Sequence, residues 1–107
     1  MTGYCTLYVT TADEGEAETI ARTLLDENLI ACANVLPGVT SHYRWQGEVH
    51  HDREVAMLLK TRAALADRVS ERIKALHSYD CPCVVIWPIA GGNAEFLNWI
   101  GDETAEG

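Results

Sequence analysis

Positive charge is scarce in this 107-residue chain: eight Lys and Arg stand against sixteen Asp and Glu, for a formal net charge of −8. No basic stripe is available to offset phosphate repulsion, so nucleic acid is not an expected partner. Six of the sixteen acidic residues fall between Asp13 and Glu27, and three more lie in the last six positions. That acidity reads as solubility, with diffuse attraction of cations as its functional alternative. Long apolar runs are missing too. None approaches the ~20 residues that span a bilayer, which excludes a helical membrane span. Met1-Thr2-Gly3-Tyr4-Cys5 carries neither a basic region nor an apolar stretch, so no secretory leader is expected and the cytoplasm is the expected location. There are no internal repeats and no phosphate-binding glycine loop; Gly91-Gly92 is only a turn signal. No Ser-His-Asp order or Cys-His nucleophile pattern is legible, so catalysis is not expected.

What is present is an ordinary globular composition, 48% hydrophobic and 22% charged, of a length that fits one domain over residues 1–107. The four cysteines, Cys5, Cys32, Cys81 and Cys83, do not have the spacing of a small disulfide scaffold. Free thiols are expected, with Cys5 and Cys32 as small buried hydrophobes.

The β-branched and aromatic run Tyr4 to Thr11 reads as a strand. Asp13 with Glu16 resembles a capping box, and Ala17, Ile20, Ala21, Leu24 and Leu25 recur at helical spacing to about Glu27, with Asn28 closing the helix. Two long β-rich arms then flank Gln46-Gly47, from about Leu29 to Thr61. Each arm is roughly 14 residues, far beyond the usual ~5–6, and Pro37-Gly38 marks a bulge or bend in the first. In the second arm Val55, Met57 and Leu59 alternate with Glu54, Ala56, Leu58 and Lys60. Thr61 is a candidate cap for a helix whose apolar face is Leu65, Val69, Ile73 and Leu76. Cys83 to Ile89 is a nearly continuous apolar strand. Asn93 caps a short last helix carrying Phe96, Leu97 and Ile100, Gly101 is placed to end it, and the chain from Asp102 should fray.

The order βαββαβ with an added helix predicts an α+β, ferredoxin-like split βαβ sheet. Its helices cover one face only. A ribbon of this length and an uncovered second face both call for self-association.

Few residues can carry chemistry. His50-His51-Asp52 suggests a metal site, but adjacent strand residues point to opposite faces and cannot grip one ion. With Gln46-Gly47 as a two-residue turn, Trp45 pairs with Glu48 and Tyr43 with His50. Tyr43, Trp45, His50 and Glu54 then share one face and His51 takes the other. Cys81-Pro82-Cys83 puts two thiols at i and i+2, with α-carbons ~6.5–7 Å apart if extended. That is at the edge of disulfide geometry, yet two thiolates can share a soft ion; alternatively Cys83 simply starts a buried strand. His77 and Tyr79 lie in the loop after the second helix. A loop can turn His77, Cys81 and Cys83 toward one point, which makes these three the expected metal ligands, with copper(I) or zinc favoured over magnesium or calcium.

Cys32-Ala33-Asn34, Pro37-Gly38, Tyr43-Arg44-Trp45-Gln46-Gly47-Glu48 and Glu54…Leu59-Lys60-Thr61 together resemble the CutA family of divalent-cation-tolerance proteins. His77-Ser78-Tyr79-Asp80-Cys81-Pro82 is similar to that family's His-Pro-Tyr-x-x-Pro segment, and the likeness runs from about Tyr8 to Ile100. The resemblance implies a homotrimer whose ribbons wrap neighbouring subunits. It also implies a non-catalytic role in tolerance of, or response to, divalent metal ions, copper above all. The alternative is a small-molecule-binding signalling trimer like the PII proteins, with ligands in inter-subunit clefts lined by Tyr43, Trp45, Glu54, Lys60, His77 and Tyr79. Glu54 and Lys60 share a strand face but lie about 20 Å apart along it, so they cannot pair with each other within one chain; each is a surface charge or meets a partner from a neighbouring chain of a trimer. Copper-linked family members carry a thiol near the end of the first strand and two histidines before a Pro-Tyr step. Here Val9 or Thr10, Leu76-His77 and Ser78 stand at those places, and only His77 matches.

Overall fold

The computed structural model describes residues 2–106. Four antiparallel strands form one sheet: β1 (Tyr4–Thr11), β2 (Cys32–Trp45), β3 (Glu48–Arg62) and β4 (Val84–Pro88), in the order β2-β3-β1-β4. Helix α1 (Glu14–Asp26) links β1 to β2, and α2 (Ala66–Leu76) links β3 to β4. A third helix, α3 (Ala94–Asp102), follows. This is the ferredoxin-like arrangement, in which each crossover helix delivers the next strand beside an earlier one.

The alternation in β1 and β3 decides the core. Leu7, Val9, Met57 and Leu59 are fully buried, and they meet Ile20 and Leu24 of α1 and Val69 and Ile73 of α2. Tyr8, Ala56 and Leu58 have the opposite parity and face away from the helices. The α1 cap forms as the sequence implies: Glu16 N donates to Asp13 Oδ1 at 2.8 Å, and Glu16 Oε1 accepts from Ala12 N at 3.1 Å. Asn28 closes the helix in the left-handed region at φ 58°.

The ribbon reaches far past the core, and the molecule measures 43 × 26 × 22 Å. Gln46 and Gly47 have φ of 50° and 83°, the signs of a type I′ turn, whose twist suits a two-residue hairpin. Trp45 therefore opposes Glu48, and Tyr43 opposes His50. The ladder slips between Leu36 and Val39, so Pro37-Gly38 is a bulge, with Gly38 at φ 79°.

Four local expectations are corrected. Thr61 does not cap α2; it is a buried residue of β3 whose hydroxyl donates to the Leu29 carbonyl at 2.6 Å. A 3₁₀ turn over Ala63–Leu65 intervenes, and α2 begins without a side-chain cap. Gly101 lies inside α3, where a β-carbon would sit 2.7 Å from Tyr4 Oη. Close approach of β1 explains that glycine. The described residues beyond α3 are tied down, with Gly107 lying outside them: Ala105 N donates to the Asn28 carbonyl at 2.8 Å, and the Thr104 hydroxyl accepts from Arg62 Nε at 3.1 Å. Lastly, Cys5 is buried as expected, but Cys32 is only half-buried; all four cysteines are free thiols.

Candidate functional site

The sheet face turned away from the helices carries most of the exposed aromatic surface. Tyr8 stacks on Trp87 with ring centres 5.4 Å apart, and Tyr43 stacks on His50 at 5.5 Å. Trp45 and Trp87 remain about half exposed, at 52% and 48%. Between β1, the ribbon and the loop after α2 lies a cleft of about 300 Å³, lined by Tyr8, Thr10, Ser41, Tyr43, Glu54, Tyr79, Cys81 and Cys83. It continues into a hollow bordered by Tyr43, Trp45, Tyr79, Asp80 and Cys81.

The loop is held in place by His77. Its ring is wholly buried; Nε2 lies 2.8 Å from the Thr10 carbonyl, and Nδ1 accepts from Tyr79 N at 3.0 Å. Those two bonds set the tautomer, with the proton on Nε2. Ser78 N donates to Glu16 Oε2 at 2.7 Å, tying the loop to α1 as well. Tyr79, packed on the His77 ring at 4.7 Å, is thereby carried over the cleft, where its hydroxyl donates to Glu54 Oε2 at 2.9 Å.

The electrostatics favour the neutral form of three of the cleft's weak acids. Burial, then the Glu54 carboxylate, pushes the Tyr79 phenol well above its usual range. The Tyr43 phenol is raised by its hydrogen bond to Asp52. Burial raises the Cys83 thiol, with Glu54 adding to the effect and a hydrogen bond with Thr10 opposing it. None of these three groups is primed as an anionic nucleophile.

Of the residues singled out in the sequence, the fold brings Tyr43, Glu54, Tyr79, Cys81 and Cys83 into one cleft, with Trp45 on its border. It does not bring in Lys60, whose ammonium bonds the Asn34 side chain toward the other end of the ribbon. His77 does not turn toward the thiols, because both its ring nitrogens are engaged elsewhere. Among the described residues no three His, Cys, Asp or Glu side chains are grouped closely enough to hold an ion. Tyr8, Thr10 and Ser41 also line the cleft and were missed, although strand parity places Ser41 on the Tyr43 face. The Thr10 carbonyl, which holds His77 from 67 residues away in sequence, left no signal.

Fold and site together define a ferredoxin-like domain with an overlong ribbon and a thiol- and phenol-lined cleft on its uncovered sheet face. The family model described as CutA1 divalent ion tolerance protein matches residues 5–103. The chain belongs to the CutA1 family. It is 48% identical over 96 residues to the divalent-cation tolerance protein CutA of Thermus thermophilus, covering 90% of this chain and 93% of that one. It is 40% identical to the chloroplastic protein CutA 1 of Oryza sativa, covering 94% of this chain but only 56% of that longer protein. The crystal structure of CutA1 from Oryza sativa superposes with a TM-score of 0.94 at 38% identity, covering all of both chains. Among the described residues no helix is long and apolar enough to cross a membrane.

Proposed function

We propose that this protein acts as a homotrimer in the cellular response to divalent metal ions, copper foremost, without catalytic chemistry of its own. The observation that carries the proposal is the uncovered sheet face. Tyr43, Trp45, Val85 and Trp87 stand exposed on one chain, next to a cleft that ends at the base of a protruding ribbon. Docking that face on neighbouring copies removes the aromatic surface from water and closes the cleft between chains. Cys81 and Cys83 are the soft donors in the cleft and suit a copper ion; His77 would have to give up its Thr10 bond to join them. The raised Tyr43 and Tyr79 phenols and the raised Cys83 thiol, with no activated nucleophile among them, support the non-catalytic assignment. The cytoplasm is the proposed compartment. Light scattering at micromolar concentration tests the assembly, and three times the 11.8 kDa chain mass is expected. Metal uptake by the Cys81→Ser/Cys83→Ser variant, compared with the unsubstituted protein, tests the cleft.

One observation favours a second reading, a PII-like sensor of a small molecule. The cleft of about 300 Å³ is at the lower end of ligand-sized pockets and is lined by five hydroxyl-bearing residues, Tyr8, Thr10, Ser41, Tyr43 and Tyr79. A metal-free melting shift with a small polar ligand would support it.

A further inference from the structure

His42 and His51 occupy directly opposed positions on β2 and β3. Their rings are nearly parallel, with 5.6 Å between centres and 26° between planes, and both residues are exposed. Opposed positions on one face of an antiparallel ladder bring β-carbons to about 4.5–5.5 Å, so the pairing is a property of the backbone register. His50, the sequence neighbour of His51, points to the other face and stacks on Tyr43 instead. His50 and His51 therefore cannot share an ion, whereas His51 and the residue across from it face the same side.

Two imidazoles on one ion, with metal–nitrogen bonds of about 2.0–2.1 Å, place their ring centres roughly 4.5 Å apart in a cis tetragonal site and roughly 5–5.5 Å apart in a tetrahedral one. The observed 5.6 Å lies just beyond that range, within reach of a small closing rotation. Rotation of two exposed side chains is enough to aim one nitrogen of each ring at a common point. We propose that His42 and His51 form a bis-imidazole site for a divalent late-transition-metal ion. Imidazole suits copper, nickel and zinc, and the usual affinity order puts copper(II) first. Water fills the remaining coordination positions, so the ion is held exchangeably. The same face carries Arg44 and Arg53, and both guanidinium groups are directed elsewhere. Arg44 Nη1 donates to the Gly47 carbonyl at 3.3 Å, and Arg53 lines a cleft beside Asp13, Glu14 and Gly38. The site is separate from the thiol cleft in position and in donor chemistry. It lies on the ribbon face opposite Tyr43 and Trp45, so docking of that aromatic face leaves it open. It does not rest on the function proposed above.

The test is a copper(II) titration of the full chain carrying Cys81→Ser and Cys83→Ser, followed by electron paramagnetic resonance of the loaded protein. The expected result is one ion per chain with nitrogen hyperfine structure from two imidazoles. Adding His42→Ala or His51→Ala abolishes that binding, and adding His50→Ala leaves it intact. Retention of binding in both the His42→Ala and His51→Ala proteins would overturn the proposal. So would its loss in His50→Ala, or a spectrum with fewer than two imidazoles, which needs no histidine substitution. Because the thiols are absent throughout, failure here is distinct from failure of the cleft as a metal site.

Discussion

The Tyr79 hydroxyl reaches across 25 residues of sequence to the Glu54 carboxylate and bonds it at 2.9 Å, joining the loop after α2 to the ribbon. Glu54 is only 9% exposed, so that donor matters to it. Tyr79→Phe removes the donor and leaves the carboxylate in its half-closed site. The expected cost is about 1–3 kcal/mol, since a buried acceptor loses its partner. Urea unfolding checks this; an unchanged midpoint would mean that water replaces the phenol without loss.

The aromatic face should govern association more than chain folding. Trp45→Ala is expected to weaken the assembly, costing about 3–5 kcal/mol if the indole is buried between chains. The signature is a melting temperature that falls on dilution more steeply than that of the unsubstituted protein, because assembly stabilises by mass action. Sedimentation of the variant should show smaller species at the same concentration. A variant that sediments and melts like the unsubstituted protein would place Trp45 outside the interface.

Thiol labelling should follow burial. Cys81 is exposed, Cys83 is half-buried, and Cys5 is 1% exposed. With iodoacetamide at neutral pH and mass-spectrometric readout, Cys81 is modified first and Cys5 last. Burial raises the Cys83 thiol, so its labelling should still be climbing at a pH where an ordinary thiol has levelled off.

Glu16 supplies a pH dependence. Burial alone would raise its carboxyl, but the hydrogen bonds from Ser78 and Ala12 and the nearby His77 outweigh burial and hold it below the usual range. A carboxylate with a depressed folded pKa stabilises the fold above its unfolded value of about 4.3. That contribution is lost as the pH falls through the folded value. Glu16→Gln should therefore lower the melting temperature at neutral pH, and the gap to the unsubstituted protein should narrow in acid.

Much of this was legible because short-range rules decide it. The turn at Gln46-Gly47 needs two positive φ angles, and once it is placed, parity sets Trp45 against Glu48 and Tyr43 against His50. The periodicities of α1 and α2 likewise named Ile20, Leu24, Val69 and Ile73 as core. What stayed hidden depends on contacts distant in sequence. Gly101 reads as a helix end until Tyr4 is seen against it, and Thr61 reads as a cap until its bond to Leu29 appears. His77 reads as a free ligand because neither Thr10 nor the Tyr79 amide can be placed beside it from spacing alone. The pairing of His42 with His51 has no signal in adjacent residues, because the ladder relates positions nine apart.

The bulge at Pro37-Gly38 gives the ribbon two clocks. On the core side Leu36 opposes Ala56; on the turn side Val39 opposes Glu54, so the two halves run one residue out of phase. The core sets the first phase and the turn sets the second, and neither can slide to suit the other. A substitution that ironed the bulge flat would have to be absorbed beyond it. Each step of that slip would set His42 across from His50 instead of His51 and carry Tyr43 and Trp45 to the opposite side of the sheet. Which side chains meet at the far end of the molecule is therefore decided near its root, by a two-residue kink that touches none of them.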